Sequence, residues 1–195
     1  MAIPQRIAWE QGCWTHPPAE ARTEGEELVV TAVEGSDAWR VTSYGFIHDS
    51  EHALLTPMPM PGAVEVAFTA ALPELFDQAG VFLRVSERRW IKAGVERSDG
   101  VLQLGAVVTD ECSDWSVAPV PDWENRVVTI RASRAGDAVT IRARVADDPF
   151  RLVRVIPLPE TLDVRAGPYL CAPTRSALTV RFHSWTQTPP DPALH

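Results

Sequence analysis

Lysine is nearly absent from this sequence. Among its 18 basic residues only Lys92 is a lysine, and the arginines are scattered with no run of like charge. Together with a net charge of −8, this removes the basic face that a phosphate backbone needs, so nucleic acid is not an expected partner. Cysteine is scarce as well. Cys13, Cys112 and Cys171 are far apart and lack CxxC spacing, which argues against a disulfide framework. They read as three reduced thiols of a cytoplasmic protein. No apolar run approaches a membrane span, and Met1–Trp9 carries no signal-peptide core, so no membrane partner is expected. Long 3.6-residue periodicity is missing. The best helical candidate, Leu72–Ala79, is short and holds Pro73 near its start. No GxSxG, P-loop or GxGxxG motif occurs, and no cofactor is expected.

What is present is period-two alternation. Val64, Val66 and Phe68 alternate with Glu65, Ala67 and Thr69. Val139, Ile141, Ala143 and Val145 alternate with Thr140, Arg142 and Arg144. Leu178, Val180 and Phe182 alternate with Thr179, Arg181 and His183. Each is the signature of a half-buried strand. Gly80–Val85 is more continuously apolar, as a central strand would be. Asp99-Gly100 and Gly136-Asp137 read as hairpin turns. Thr56–Gly62 and Val120–Asp122 read as proline-bearing connectors. No repeat or composition shift marks a boundary. Residues 1–187 are therefore taken as a single domain and 188–195 as a frayed, proline-rich tail. Many short antiparallel strands in one domain point to an all-β, two-sheet sandwich, a jelly roll.

The stretch Asp77–Ser116 reads as three consecutive strands. In Trp90–Glu96, residues Ile91, Ala93 and Val95 form an apolar face, while Trp90, Lys92, Gly94 and Glu96 point the other way. A two-residue turn at Asp99-Gly100 sets Glu96 opposite Gln103, Val95 opposite Leu104 and Gly94 opposite Gly105. A three-residue loop at 86–88 sets Glu96 opposite Gln78, Val95 opposite Ala79 and Ile91 opposite Leu83. Gln78, Glu96 and Gln103 then make a polar row across three strands, with Gly94 and Gly105 leaving open floor beside it.

Several segments, in order, carry a family resemblance: 37–46, Asp77-Gln-Ala-Gly80, 90–96, Asp99-Gly100, Val107-Val-Thr109, Ser113-Asp-Trp-Ser116, Gly167-Pro168 and Cys171-Ala-Pro173. From Trp9 to Trp185 the chain resembles a domain-of-unknown-function family that includes the fungal "regulation of enolase" proteins. The resemblance implies a concanavalin A-like β-sandwich and no established enzymatic activity. Saccharide binding enters by analogy with other proteins of that fold.

The candidate ligand-binding residues are Trp39, Tyr44, Gln78, Lys92, Glu96, Gln103, Asp114 and Trp115. Amides and Glu96 suit hydroxyl groups, Lys92 suits an anionic or hydroxyl group, and aromatics with polar tips suit a binding wall. Against this, Lys92 and Glu96 could form a plain surface ion pair, Phe46 reads as a core residue, and Trp39 fits either role. Asp114-Trp115 reads as a loop pair just past the third strand, a sugar clamp or a turn cap. His16, extended before Pro17-Pro18, is weighed as a metal ligand with His48 and Asp49 or Glu96, and no metal is expected there. Cys171 reads as a small buried residue. A glycosidase needs two carboxylates. The strand supplies one, and Lys92 beside it should keep Glu96 ionised. Asp114 and Asp49 are the candidates for a second. The preferred reading is a cytoplasmic module that binds a small polar ligand, a saccharide or sugar phosphate. The alternatives are a glycosidase- or isomerase-like enzyme using Glu96 as acid/base, and a protein-interaction or metabolic-regulatory module with a protein partner.

Overall fold

Alternating sequence becomes paired strands in a computed structural model that describes residues 4–194. In chain order these are β1 (Gln5–Arg6), β2 (Cys13–Trp14), β3 (Glu20–Glu24), β4 (Glu27–Thr31), β5 (Ala38–Arg40), β6 (Ile47–Asp49), β7 (His52–Pro57), β8 (Gly62–Thr69), β9 (Gln78–Arg84), β10 (Arg89–Ser98), β11 (Val101–Asp110), β12 (Cys112–Pro119), β13 (Val127–Ala135), β14 (Ala138–Val145), β15 (Arg151–Pro157), β16 (Arg165–Cys171) and β17 (Thr179–Thr188). Two short 3-10 turns, Trp9–Gln11 and Pro121–Trp123, interrupt them. The expected helix over Leu72–Ala79 does not form. Its last residues enter β9, where Gln78 pairs with Glu96. No helix among the described residues is long and apolar enough to cross a membrane.

The strands build two large antiparallel sheets. One runs β15-β14-β13-β8-β17-β4-β3 with β1 added beside β17, the other β12-β11-β10-β9-β16-β7-β2. Strands far apart in the chain are neighbours, as in a jelly roll, and the fold is a concanavalin A-like sandwich. Val64, Val66, Phe68, Ile130, Ile141, Val81, Leu83, Ile91, Ala93, Val95 and Leu104 share the buried core between the sheets. Both hairpin registers hold as the turns require: Glu96 faces Gln103 on β11 and Gln78 on β9. Asp99 and Gly100 take φ of 52° and 78°, the conformation of a two-residue turn matched to strand twist.

The seven-stranded sheet is buried on both faces in its middle. Its outer face holds a second apolar cluster: Phe82 on β9, Trp90 and Val107 on β10 and β11, Tyr169 and Cys171 on β16, Ala53 and Leu55 on β7. A separate hairpin, β5-β6, lies over it and adds Ala38 and Trp39. This covering explains the unbroken apolar run of β9, which sits between β10 and β16 and has no solvent face.

Two expectations are corrected. The chain end does not fray at 188. Asp191 accepts from Arg131 Nε at 2.7 Å and Arg142 Nε at 3.0 Å, and its backbone N–H donates to Ser133 Oγ at 2.8 Å. Gly94 and Gly105 do not leave open floor either. A Cβ on Gly94 would stand 2.1 Å from the carbonyl oxygen of Ala79, and one on Gly105 2.0 Å from that of Ser116. The neighbouring backbone already occupies that space. Gly94→Ala should therefore force strands β9 and β10 apart and cost about 1–3 kcal/mol of stability, read as a lower urea midpoint.

Candidate functional site

On this sheet's outer face, β10 supplies the floor of a pocket of about 320 Å³. Lys92 and Glu96 lie two positions either side of Gly94 and project to the same side. Gln78, opposite Glu96, joins them from β9. The hairpin β5-β6 adds Asp37 at its start, Trp39, Tyr44, Phe46 and His48, and β12 adds Trp115. The hairpin is fixed near both ends. Arg40 N–H donates to Ser113 Oγ at 2.9 Å on β12, and Asp37 N–H donates to Ser50 Oγ at 3.1 Å. Between them the tip 41–46 turns through positive φ at Val41, Ser43 and Gly45.

The sole lysine is 4% exposed. Its Nζ donates to Asp37 Oδ1 at 3.0 Å and to Gln78 Oε1 at 2.8 Å. Gln78 Nε2 in turn donates to Asp37 Oδ1 at 3.4 Å and to the Phe76 carbonyl at 3.2 Å. Burial opposes the ammonium, but Asp37, with Cys171 and Glu96 adding to it, outweighs burial and raises the lysine pKa. The alternative weighed above, a Lys92–Glu96 surface pair, is not the one formed. The lysine partner is Asp37, a residue that sequence reasoning did not select.

Glu96 behaves opposite to expectation. Burial pushes its carboxyl up, and the opposing pull of Lys92 does not compensate; the Asp37 carboxylate pushes it further up. Lys92 is spent on Asp37, so its charge reaches Glu96 largely neutralised. The result is a carboxyl group that takes up a proton more easily than a free glutamate. Beneath the floor, burial lifts the Cys171 thiol well above its ordinary range, so it is an inert core group.

The remaining wall is aromatic. Trp115 meets Trp39 edge-on at 6.4 Å, and Trp39 meets Tyr44 edge-on at 5.7 Å. Tyr44 stacks on Phe46 at 5.2 Å, and His48 meets Phe46 at 4.6 Å. Trp39 is anchored by its indole N–H to the Thr42 carbonyl at 3.0 Å. Tyr44, Phe46 and Trp115 keep solvent-facing rings. Phe46 is thus a rim residue, not the core residue expected.

Six of the eight selected residues line this pocket: Trp39, Tyr44, Gln78, Lys92, Glu96 and Trp115. Gln103 pairs with Glu96 in register but is buried outside the lining, with Oε1 unpartnered. Asp114 is excluded by strand alternation. Residues 112–119 form a strand, not a loop. Trp115 lies opposite Val107 on the pocket side, so Asp114 leaves by the other face and pairs with Arg154 at 2.7 Å. Trp90 packs on Phe82 at 5.4 Å below the floor. Asp49 pairs with Arg84 at 3.5 Å instead of entering the pocket. His48 and His52, four apart in sequence, sit on different strands. The His52 ring is consumed by the His16 carbonyl and the Val33 N–H, each at 3.0 Å.

The fold and site define a jelly-roll sandwich with one polar-floored, aromatic-walled pocket on the outer face of a sheet. The chain belongs to the family described as protein of unknown function (DUF1349), whose model matches residues 14–190. It is 34% identical to "Regulation of enolase protein 1" of Saccharomyces cerevisiae over 95% of this chain and 93% of that protein. It superposes on the crystal structure of a functionally unknown protein from Saccharomyces cerevisiae with a TM-score of 0.88 at 32% identity, covering 95% of this chain and 100% of the other. A GH43 protein from Bacillus licheniformis has the same sandwich over 95% of this chain but only 38% of its own, with a TM-score of 0.73 and 9% identity. That likeness is one of fold.

Two substitutions probe the floor. Lys92→Met leaves Asp37 facing a low-dielectric interior without its cation and should cost about 3 kcal/mol, seen in urea unfolding. Glu96→Gln should do the reverse. A carboxyl whose folded pKa lies above its unfolded one opposes folding once pH rises above the unfolded value near 4.5. The variant should melt higher than wild type at neutral pH, with the difference vanishing below that value.

Proposed function

We propose that the protein is a binding module for a neutral saccharide, held in the Glu96 pocket. The supporting observation is the pairing of an exposed aromatic wall with a floor rich in hydrogen-bonding groups. Apolar C–H faces of a sugar ring suit Trp115, Tyr44 and Phe46. Hydroxyl groups both donate and accept. The Glu96 carboxyl lines the pocket, and Lys92 keeps a third N–H beyond the two used by Asp37 and Gln78. The volume is that of a small-ligand site. A sugar phosphate fits less well. Lys92 is already neutralised by Asp37, and an added anion would face two carboxyl groups without a free cation.

An enzymatic reading has one specific point in its favour. Asp37 brings a second carboxyl group into the pocket with Glu96, and a raised Glu96 pKa suits a general acid. Against it, Asp37 Oδ1 is committed to Lys92, Gln78 and the Ala38 N–H. The binding reading leaves that network intact. By likeness to its yeast relative, named for regulation of enolase, we assign the module a metabolic-regulatory role. Three unpaired thiols, Cys13, Cys112 and Cys171, support a reducing, cytoplasmic setting.

The test is a glycan and metabolite panel on purified protein by calorimetry, with aryl glycosides included for turnover. A neutral saccharide should bind, and Trp115→Ala or Tyr44→Ala should weaken it about tenfold or more. Trp115 is 37% exposed, so its melting temperature should change little. Binding indifferent to both substitutions, or no neutral ligand at all, overturns the reading. Turnover abolished by Glu96→Gln with binding retained would establish the enzyme.

A further inference from the structure

Away from the pocket, three metal-capable side chains meet where the β5-β6 hairpin rejoins the sandwich. Asp49 ends β6, Glu51 directly precedes β7, and His16 follows β2. One ligand atom of each lies within 4.8 Å of the other two. Arg84 approaches both carboxylates, donating to Glu51 Oε1 at 2.9 Å and to Asp49 Oδ1 at 3.5 Å. This occupies one oxygen of each and leaves the second for another partner.

The second oxygen of Glu51 is the telling atom. The Glu51 side chain is 0% exposed, and Oε2 has no hydrogen-bond partner. A buried carboxylate oxygen with no donor is costly. Here it faces the His16 ring, whose Nδ1 is 3.9 Å away. Two donors on one ion stand at most about twice ~2.1 Å apart, so that separation suits a shared cation. The same Nδ1 lies 3.0 Å from the Glu51 carbonyl. An ion held by Nδ1 takes the place of this hydrogen bond, since one ring nitrogen cannot donate and ligate at once. His52, hydrogen-bonded to the His16 carbonyl, holds that segment in place.

We propose that His16, Asp49 and Glu51 form a site for a divalent cation of the zinc class, with Arg84 orienting the two carboxylates. One imidazole and two carboxylates favour such a borderline ion over calcium or magnesium, which prefer all-oxygen shells. Net charge agrees, because the two carboxylates exceed the single guanidinium. A bound ion would tie the base of the hairpin that carries the aromatic wall to the body of the sandwich. This site is independent of what the pocket binds.

The test uses full-length protein stripped with a chelator and titrated with zinc chloride by calorimetry. One zinc per chain is expected. His16→Ala and Asp49→Asn, both at partly exposed positions, should fold and should each weaken binding about tenfold or more. Cobalt(II) in place of zinc should give a spectrum without a thiolate-to-metal charge-transfer band, which distinguishes the site from Cys13 and Cys112. No stoichiometric zinc binding, binding unchanged in both variants, or a thiolate band each overturns the proposal.

Discussion

The Lys92–Asp37 ion pair joins the covering hairpin to the sheet. With the Arg40–Ser113 and Asp49–Arg84 contacts it holds down β5-β6, a short ribbon of a kind that is marginal alone. The pair spans 55 positions of sequence, and it lies beneath a pocket instead of on the surface. Burying two charges gains little net stability, yet removing either partner is expensive. Such a pair fixes one arrangement against others. It sets the height of the wall above the floor, and so the shape of the cavity.

That pair also sets the electrostatics. Had Lys92 been free, it would have held Glu96 ionised. Committed to Asp37, it lets burial dominate, and the Glu96 pKa rises. The floor thus sets donor groups of Lys92 and Gln78 beside carboxyl oxygens of Asp37 and Glu96. On the proposed binding reading, a ligand of hydroxyl groups would meet partners of either kind, while an anion would meet a lysine already paired with Asp37.

The two-sheet architecture, the β9-β10-β11 register and most of the floor were legible in the sequence, because they follow from local rules. Asp99-Gly100 and the three-residue loop at 86–88 dictate which residues face each other, and alternation dictates which face they share. What was not legible depends on contacts between distant segments. Nothing near Asp37 in sequence marks it as the partner of Lys92. Phe46 looked like core because its exposure depends on a hairpin tip held away from the sheet. Asp114 was misplaced for a local reason: residues 112–119 carry no strong apolar alternation, since an edge strand is covered on one face for only part of its length. Continuing the β11 pairing by one strand would have put Trp115 and Asp114 on opposite faces.

The hairpin is held at its base and free at its tip, and this division bears on how the site can work. Its paired strands are tied by Asp37 to Lys92 and Asp49 to Arg84 at the base and by Arg40 to Ser113 just before the tip. Its tip bears Tyr44 and Phe46, stacked on each other and open to solvent. The floor is part of a sheet whose opposite face is sealed in the core, so it cannot shift without disturbing the packing beneath. On the proposed binding reading, adjustment to a ligand would fall to the tip, by rotation of two exposed rings. On that same reading, hydrogen-bond geometry at Lys92, Gln78 and Glu96 would select the ligand, and the aromatic rim would adapt to whatever extends from it.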